Sequence, residues 1–427
     1  MMAMFENYTF TLETLSPLRI GSGEKLDSKQ YYLDDNHILR LNQRKWTKLL
    51  SRKRLVDKYT NAILKGTDLH TFVQDYRRFI SLSELKDAAL YQAPVYRLPY
   101  DLRDRGNTPY IHLFQSDSEG NPYIPGSSLK GAIVASLLAV YYEDIFTEKQ
   151  RKEDKQRKED EQRKEDEQQK GFEDAVHSMK KSIQRKHAWK AVEAEAKKAL
   201  KPMFPDLAKK HINPDNKRVI YLMQAIRVSD SDPIDRGQLA VCEKADVFPI
   251  DRRFADGTWK VSEKNPGIFH ESLIPGTKVT FRLSIDEGKL KLFREDMTAK
   301  DAIAWITNAL NTFRAKQDKV YTQKFVEKVN GTMDQLVQDV VSNDTNHFYL
   351  GAGVGWVNKT LTYSIFGNEP DTVGFVADFL DLQFGRNKHE DDVDLGVSPH
   401  KLKCVYYKDE RYLMGHCAFS IEKTGEI

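Results

Sequence analysis

The sequence predicts an α+β architecture in which short strands alternate with single amphipathic helices. Three observations predict it. Residues 7–15, NYTFTLETL, place Tyr8, Phe10 and Leu12 on one face, the period of a half-buried strand. Leu129, Ile133, Val134, Leu137, Leu138 and Tyr141 recur at helical spacing, so that helix should lie on a sheet by one stripe. The same plan returns later, with strand patterns at 278–285, a helix over 302–313 with Ile303, Ile306, Leu310 and Phe313 on one side, and a glycine-rich turn over 347–360. Short strands interleaved with single helices favour a sandwich over a long parallel sheet.

In chain order, the first strand ends at Ser16-Pro17. Leu18 to Gly23 follows, where proline and two glycines should stop regular structure. Residues 44–96 show helix-period runs, such as Val56, Tyr59 and Ile63, and no strand alternation, so they predict a mostly helical insertion. Residues 110–114 read as a strand. Pro125-Gly126 is a turn, and Ser127 or Ser128 can cap the helix that follows. Residues 148–170 repeat QRKED, starting at Gln150, Gln156 and Gln162, with nine basic residues, nine acidic residues and no apolar one. Such a segment cannot enter a core, and a charged helical continuation runs to about Lys201. Residues 219–228, 402–407 and 412–421 read as strands. A chain of 427 residues suggests two or three domains, and the expected division is 1–215 and 216–427.

Hydrophobic residues make up 40% of the chain, enough for sizeable cores. The net charge of +3 neither demands nor excludes a polyanionic partner, because placement decides. Cys242, Cys404 and Cys417 form no C-x-x-C pair, which argues against a disulfide framework or a four-cysteine zinc site and for a reduced cytoplasmic protein. The apolar run 132–142 is too short to span a bilayer, and the N-terminal residues lack a signal-like stretch.

No dinucleotide fingerprint fits 351–356, because Trp356 stands where the third glycine is needed, and no Walker A lysine follows. What remains is backbone able to approach a ligand: Gly351, Gly353 and Gly355, with Trp356 as a stacking face and Lys359 as a cation. A helix start at Ser127, Ser128 and Lys130 is a second anion site, since its N–H groups are unpaired. Arg19, Gly21, Ser22 and Gly23 form a third loop beside a strand end. A fourth candidate is RKWTKLLSRKR, residues 44–54. On a helix Trp46, Leu49 and Leu50 turn inward, and Lys45, Lys48 and Arg52 make an outer stripe for phosphates. Residues 180–190 are a weaker basic case. Together the loops suggest a groove that tracks an RNA strand. Catalytic signatures are not apparent: the 11 histidines are scattered. Asp391, Asp392 and Asp394 read as solvated acids, and Asp230 and Asp232 lack a placed third carboxylate for a metal.

LSPLRIGSG, YIPGSSLKGAI, RVSDS and LGAGVGWVNKT occur in that order along the chain. The set resembles the RAMP proteins of CRISPR effector complexes, and most closely the fifth-subunit family of type III-A (Csm) complexes, over about residues 8–421. The resemblance implies two ferredoxin-like (RRM-related) RAMP domains carrying the helical and charged insertions. It implies a non-catalytic subunit that caps the head of the complex, contacts the backbone and small subunits, and holds the 3′ region of the crRNA. It also implies support of 3′-end maturation through recruited host trimming nucleases. No cofactor, metal or membrane partner is expected. The other class of function is a RAMP endoribonuclease using metal-independent acid–base cleavage, for which His37 and His112 are the histidines near the first-half motifs.

The charged repeats predict one measurable outcome. Replacing residues 148–170 with a short Gly/Ser linker should change the melting temperature by less than about 5 °C, because no apolar surface is lost. A larger fall in thermal unfolding would show that the segment packs.

Overall fold

The alternating N-terminal segment forms strand β1, Phe5–Thr14, with Tyr8, Phe10 and Leu12 buried. It is described here in a computed structural model covering residues 5–34, 37–96, 110–157, 221–253, 259–264, 266–328, 346–367, 370–384, 389, 391–408 and 410–424. The further strands in chain order are β2 Gly21–Leu26, β3 Tyr31–Asp34, β4 His37–Leu41, β5 Ala89–Tyr96, β6 Ile111–Phe114, β7 Ile226–Val228 and β8 Leu239–Arg253. They continue with β9 Trp259–Lys264, β10 Phe269–Leu273, β11 Lys278–Asp286, β12 His347–Tyr349, β13 Leu402–Tyr407, β14 Glu410–Leu413 and β15 His416–Lys423.

The result is a mixed α/β fold with two sheets. The first has the order β12-β15-β1-β11-β7. β1 lies in its middle, antiparallel to β11 on one side and to β15 on the other. Phe10 packs at the centre of this sheet, stacked on Phe419 at 5.3 Å and edge-on to Phe281 and Phe348. The helices Gly126–Arg157 and Ala299–Gln317 cover the sheet through Leu129, Ile133 and Leu137 and through Ile306, Ala309 and Leu310. Along the chain the sheet and its covering helices run β1, the helix Gly126–Arg157, β7, β11, the helix Ala299–Gln317, then β12 and β15. Thr298 and Asp301 close a capping box at the start of the second helix. Each side chain there bonds the other residue's backbone N–H, satisfying donors that the first turn leaves unpaired.

The second sheet runs β2-β6-β10-β8-β5-β4-β3, with β9 and β13 on β8 and β14 on β13. Both sheets draw strands from either side of residue 215. The boundary expected there does not separate two sheets, because backbone pairing joins β1 to β11 and β5 to β8 across it.

Several expectations change in detail. Gly21–Gly23 belong to an exposed strand with irregular register against β6, not to a turn that stops structure. The insertion 44–96 holds four helices, Gln43–Arg52, Val56–Leu64, Leu69–Asp75 and Leu82–Ala88, but it ends in β5. Its helices enclose their own core around Trp46, Leu50, Leu69 and Phe72. Residues 221–225 are helical and only 226–228 form a strand; an apolar run of that length fits both periods. The predicted strand 412–421 breaks at Met414-Gly415 into β14 and β15. The first QRKED repeat begins at the end of the helix Gly126–Arg157, while residues 158–201, including 180–190, lie outside the described residues. Among the described residues no helix is long and apolar enough to cross a membrane.

The two sheets meet where the chain leaves β1. Leu15 and Ser16 N–H donate to His416 O at 2.9 and 3.2 Å, and Gly415 N–H donates to Pro17 O at 3.0 Å. Leu18 and Leu273 exchange a bonded pair, and Thr14 does so with Gly276 and Thr277. Gly415 has φ +74°, and a Cβ there would run into Leu350 O.

Gly415→Ala should therefore destabilise the protein by at least about 2 kcal/mol, since a left-handed alanine and a backbone collision add. Gly131 sits exposed in the helix Gly126–Arg157, with open space around it. Gly131→Ala should stabilise by about 0.5–1 kcal/mol. Opposite shifts in paired denaturation curves check both.

Candidate nucleic-acid interface

The first and last glycine-rich loops are in direct contact. Ala352 N–H donates to Arg19 O at 2.7 Å, and Leu350 N–H to Gly415 O at 2.8 Å. Gly351 is left-handed, and a Cβ there would strike Arg19 O; one on Gly353 would strike the Met414 sulfur. These two glycines let strands of main chain cross closely. Gly355 differs: a Cβ there would come no nearer than 4.0 Å to Lys403.

Contact between the loops gathers positive charge. The Arg19 side chain folds back over Gly21, its guanidinium 3.1 Å from where a Cβ would sit. Its Nε is buried with no hydrogen-bond partner. Desolvation lowers the Arg19 pKa. Desolvation, then the Arg19 charge, holds the Lys359 ammonium below the usual lysine value, although Lys359 still reaches solvent. On the neighbouring strands His112 and His270 face each other, with ring centroids 5.5 Å apart. Burial, then Arg19 and Lys25, lowers the His112 pKa. Burial, then Arg19, His112 and Lys244, pushes His270 down to about 3, so it is neutral at physiological pH. The charges that shift Lys359, His112 and His270 are all positive. Next to His270, Glu271 is buried and accepts from Phe114 N–H at 2.9 Å, and burial raises it to about 7.

The helix start is built differently from the expected open anion site. Gly126 N–H donates to Asp230 Oδ1 at 2.8 Å, so a carboxylate of the chain already occupies that end of the helix. Ser128 N–H turns back to Pro125 O. A Cβ on Gly126 would collide with Ser229 O, which is why glycine stands there. Ser231 Oγ accepts from Ile124 N–H, and Asp232 Oδ2 accepts from Thr280. The segment 229–232 therefore clamps this helix start to β11. Asp230 is a residue of consequence that sequence reasoning weighs only as a candidate metal carboxylate; the partner it holds, Gly126 N–H, lies 104 positions away.

Ser127 is exposed and Lys130 half-buried. Desolvation, then Arg227 and Lys289, lowers the Lys130 pKa. Lys130 thus shares a basic neighbourhood with Arg227 and Lys289, and Lys359 shares one with Arg19. The two are linked through main chain: Gln115 N–H donates to Ile20 O at 2.8 Å and Tyr123 N–H to Gln115 O at 3.1 Å, just before Pro125.

Ser22 and Gly23 lie on β2, with Ser22 Oγ capping Glu24 N–H. Trp356 is half-buried against Phe379, with ring centroids at 6.1 Å, and packs on the core that contains Tyr363 and Val376. Its ring serves that core, which reduces the face it can offer a base. On the helix Gln43–Arg52, Trp46, Leu49 and Leu50 are buried as expected. Lys45, Lys48 and Arg52 are exposed, with Lys45 Nζ reaching Asp87 O at 3.2 Å. This stripe stands on the separately cored insertion. Beside it a cavity of about 300 Å³ is lined by Arg40, Asn42, Trp46 and Tyr59 among others. Asp392, expected in a solvated loop, is 1% exposed; its acid-rich surroundings in sequence hid two histidine partners. Together with His389 and His400 it is the one described group with the spacing to hold a metal ion.

Shared charge predicts coupled effects on RNA binding. Arg19→Ala and Lys359→Ala should each weaken binding by about 1 kcal/mol, the scale of a charge-assisted contact. Their double variant should lose less than the sum, because they serve one spot. Lys130→Ala should add independently to either. Fluorescence anisotropy with melting curves as controls measures this; full additivity of Arg19 and Lys359 would contradict a shared contact.

Residues 11–358 match the RAMP superfamily. A protein of Mycobacterium tuberculosis (strain ATCC 25618 / H37Rv), named CRISPR system Cms protein Csm5, is 25% identical over 438 residues, covering 98% of each chain. The protein of that name from Streptococcus thermophilus is 25% identical over 367 residues, 84% of this chain and 80% of that one. Among solved structures, a chain in the cryo-EM structure of a Csm–crRNA–target RNA ternary complex of a type III-A CRISPR-Cas system aligns with a TM-score of 0.59. It is 18% identical and covers 98% of this chain and 100% of its own. The crystal structure of T. onnurineus Csm5 aligns with a TM-score of 0.51 at 17% identity, over 96% and 99% of the two chains. The solved structures share the fold, and the match over most of its length places this chain in the RAMP superfamily.

Proposed function

We propose that this chain is a Csm5-type subunit of a type III-A CRISPR complex that binds crRNA without cleaving it. In this reading it caps the head of the complex in the cytoplasm, holds the 3′ region of the crRNA and supports 3′-end maturation by recruited nucleases. The observation that carries the RNA contact is the gathering of Arg19, Lys359 and Lys25 near the junction of the sheets, where the Arg19 and Lys25 charges hold His112 toward its neutral form. Like charges held together at a half-desolvated junction repel one another, and a phosphate backbone relieves that repulsion. The similarity to Csm5 proteins over 84–98% of this chain supports the choice of complex.

The ferredoxin-like part of the proposal falls on the first sheet. With the three-residue β12 set aside as an added edge strand, its order β1, helix, β7, β11, helix, β15 follows the ferredoxin-like plan. That unit takes β1 from the N-terminal half and β15 from the C-terminal end. The second sheet is then the companion RAMP domain, so the two domains interleave in sequence.

One observation favours cleavage as a second reading: His112 is half-buried beside Arg19 with a lowered pKa, the state of a general base. Incubating the purified protein with repeat RNA and EDTA separates the readings, since defined cleavage products would establish a metal-independent nuclease.

Backbone recognition has its own signature. The log of affinity for single-stranded RNA should fall against log salt with a slope of about −0.7 per phosphate contacted. Unrelated sequences should bind alike. Titrations of several RNAs from low to moderate salt test this, and a flat response or one strongly preferred sequence would overturn it.

A further inference from the structure

We propose that His389, Asp392 and His400 bind a divalent transition-metal ion of the zinc type, which ties the C-terminal helical lobe together. The ligand atoms of these three side chains lie within 4.8 Å of one another. His389 and Asp392 are buried and His400 is largely so, with side-chain exposures of 5%, 1% and 18%.

The surrounding bonds prepare two of the groups. Asp381, on the helix Pro370–Phe384, accepts from the backbone N–H of His389 with both oxygens at 3.1 Å. Its Oδ1 also stands 2.5 Å from His389 Nδ1. A carboxylate on one ring nitrogen fixes the tautomer and frees the other as a metal ligand. Here that leaves His389 Nε2. The two imidazole rings sit 4.7 Å apart. Asp392 Oδ1 bonds His400 Nδ1 at 2.6 Å, while Asp392 Oδ2 is buried with no partner.

That orphaned oxygen is a second, independent observation. A buried carboxylate oxygen without a donor is costly. A cation supplies the missing interaction. Ligand atoms on a tetrahedral zinc at about 2.0–2.2 Å stand about 3.3–3.6 Å apart. Small side-chain rotations within the observed spacing therefore suffice. Two imidazoles with one carboxylate suit zinc and its neighbours, whereas magnesium and calcium take oxygen ligands. Three protein ligands leave one position for water or another donor.

The ion would pin the segment after the helix Pro370–Phe384 to the turn before β13. That turn is already held by Tyr363 OH on Ser398 O and Tyr321 OH on Pro399 and Lys401 O. Leu395, Val397 and Leu402 of this segment share a core with Val357, with Trp356 packed against it. Metal binding would thus stiffen the support beneath the loop that carries Lys359. The role is structural and does not depend on RNA binding.

Untagged full-length protein, stripped with a chelator and dialysed, tests the site. Zinc titration followed by metal analysis should give about one tightly held ion per chain and a higher melting temperature. A tenfold excess of magnesium should not displace it. Asp392→Asn and His400→Gln should each remove the bound zinc and the rise in melting temperature. Asp381→Asn, which alters positioning only, should weaken zinc about 10–100-fold while leaving the site able to bind. Should Asp392→Asn fail to fold, the more exposed His400→Gln still decides. Wild-type protein that holds no zinc after titration, or variants that hold it as tightly as wild type, would overturn the proposal.

Discussion

One crossing of the main chain, at residues 14–19, holds the rest in place. There the chain leaves the first sheet for the second, and two other passes of backbone, 273–277 and 414–416, grip it. The bonds are mainly backbone N–H to carbonyl, joined by Ser16 Oγ accepting from His416 N–H and Thr14 Oγ1 accepting from Thr277 N–H. Main-chain bonds ask little of side-chain identity. What they ask for is small volume, which Thr14, Ser16 and Gly415 provide. The partners lie some 260 and 400 positions apart. Loop-closure entropy rises only with the logarithm of length, about 0.6 kcal/mol per doubling. A long charged stretch after residue 148 therefore adds little cost to a closure already spanning the chain.

The crossing also determines which functional candidates can act together. Because the 350–352 segment bonds both Gly415 and Arg19, the first and last loops share one place and one charge cluster. Lys130 is anchored instead by the clamp of Asp230 on Gly126, which sets its helix against β7 and β11. A single groove along all three loops would have to run from Arg19 past Gln115 and Tyr123 to that helix start. The backbone follows that route, and the lysines mark its two ends.

Elements whose evidence is local were legible in the sequence. The face of Tyr8, Phe10 and Leu12 is set by a period of two, and the inward turn of Trp46, Leu49 and Leu50 by a period of 3.6. Partners at long range were not legible. Alternation says that a strand has a buried face, but not that β1 will pair with β15 rather than with a neighbour in its own half. β5 was hidden inside the helical insertion, because Pro94 and a short run blur its pattern. Asp230 invites comparison with a metal-site carboxylate beside Asp232, since nothing in RVSDS names Gly126 as its partner. For Asp392 a signal did exist in the spacing, His389 three positions before and His400 eight after, but the acidic run around it suggested solvent.

The glycines show how a motif can be correct in place and different in meaning. A glycine-rich loop suggests backbone approaching a phosphate, yet Gly351 and Gly353 are small because Arg19 O and the Met414 sulfur occupy the space a Cβ would need. Only Gly355 of the three leaves room on its open side. Trp356 likewise turns toward Phe379 and a core. The nucleic-acid reading therefore cannot rest on glycine and aromatic content. It rests on what the packing does to charge. By crossing closely, the loops bring Arg19 beside Lys359, where burial penalises both positive charges and the Arg19 charge adds to the penalty on Lys359, just as it opposes protonation of His112. Cations set against one another in this way are ones that a polyanion completes.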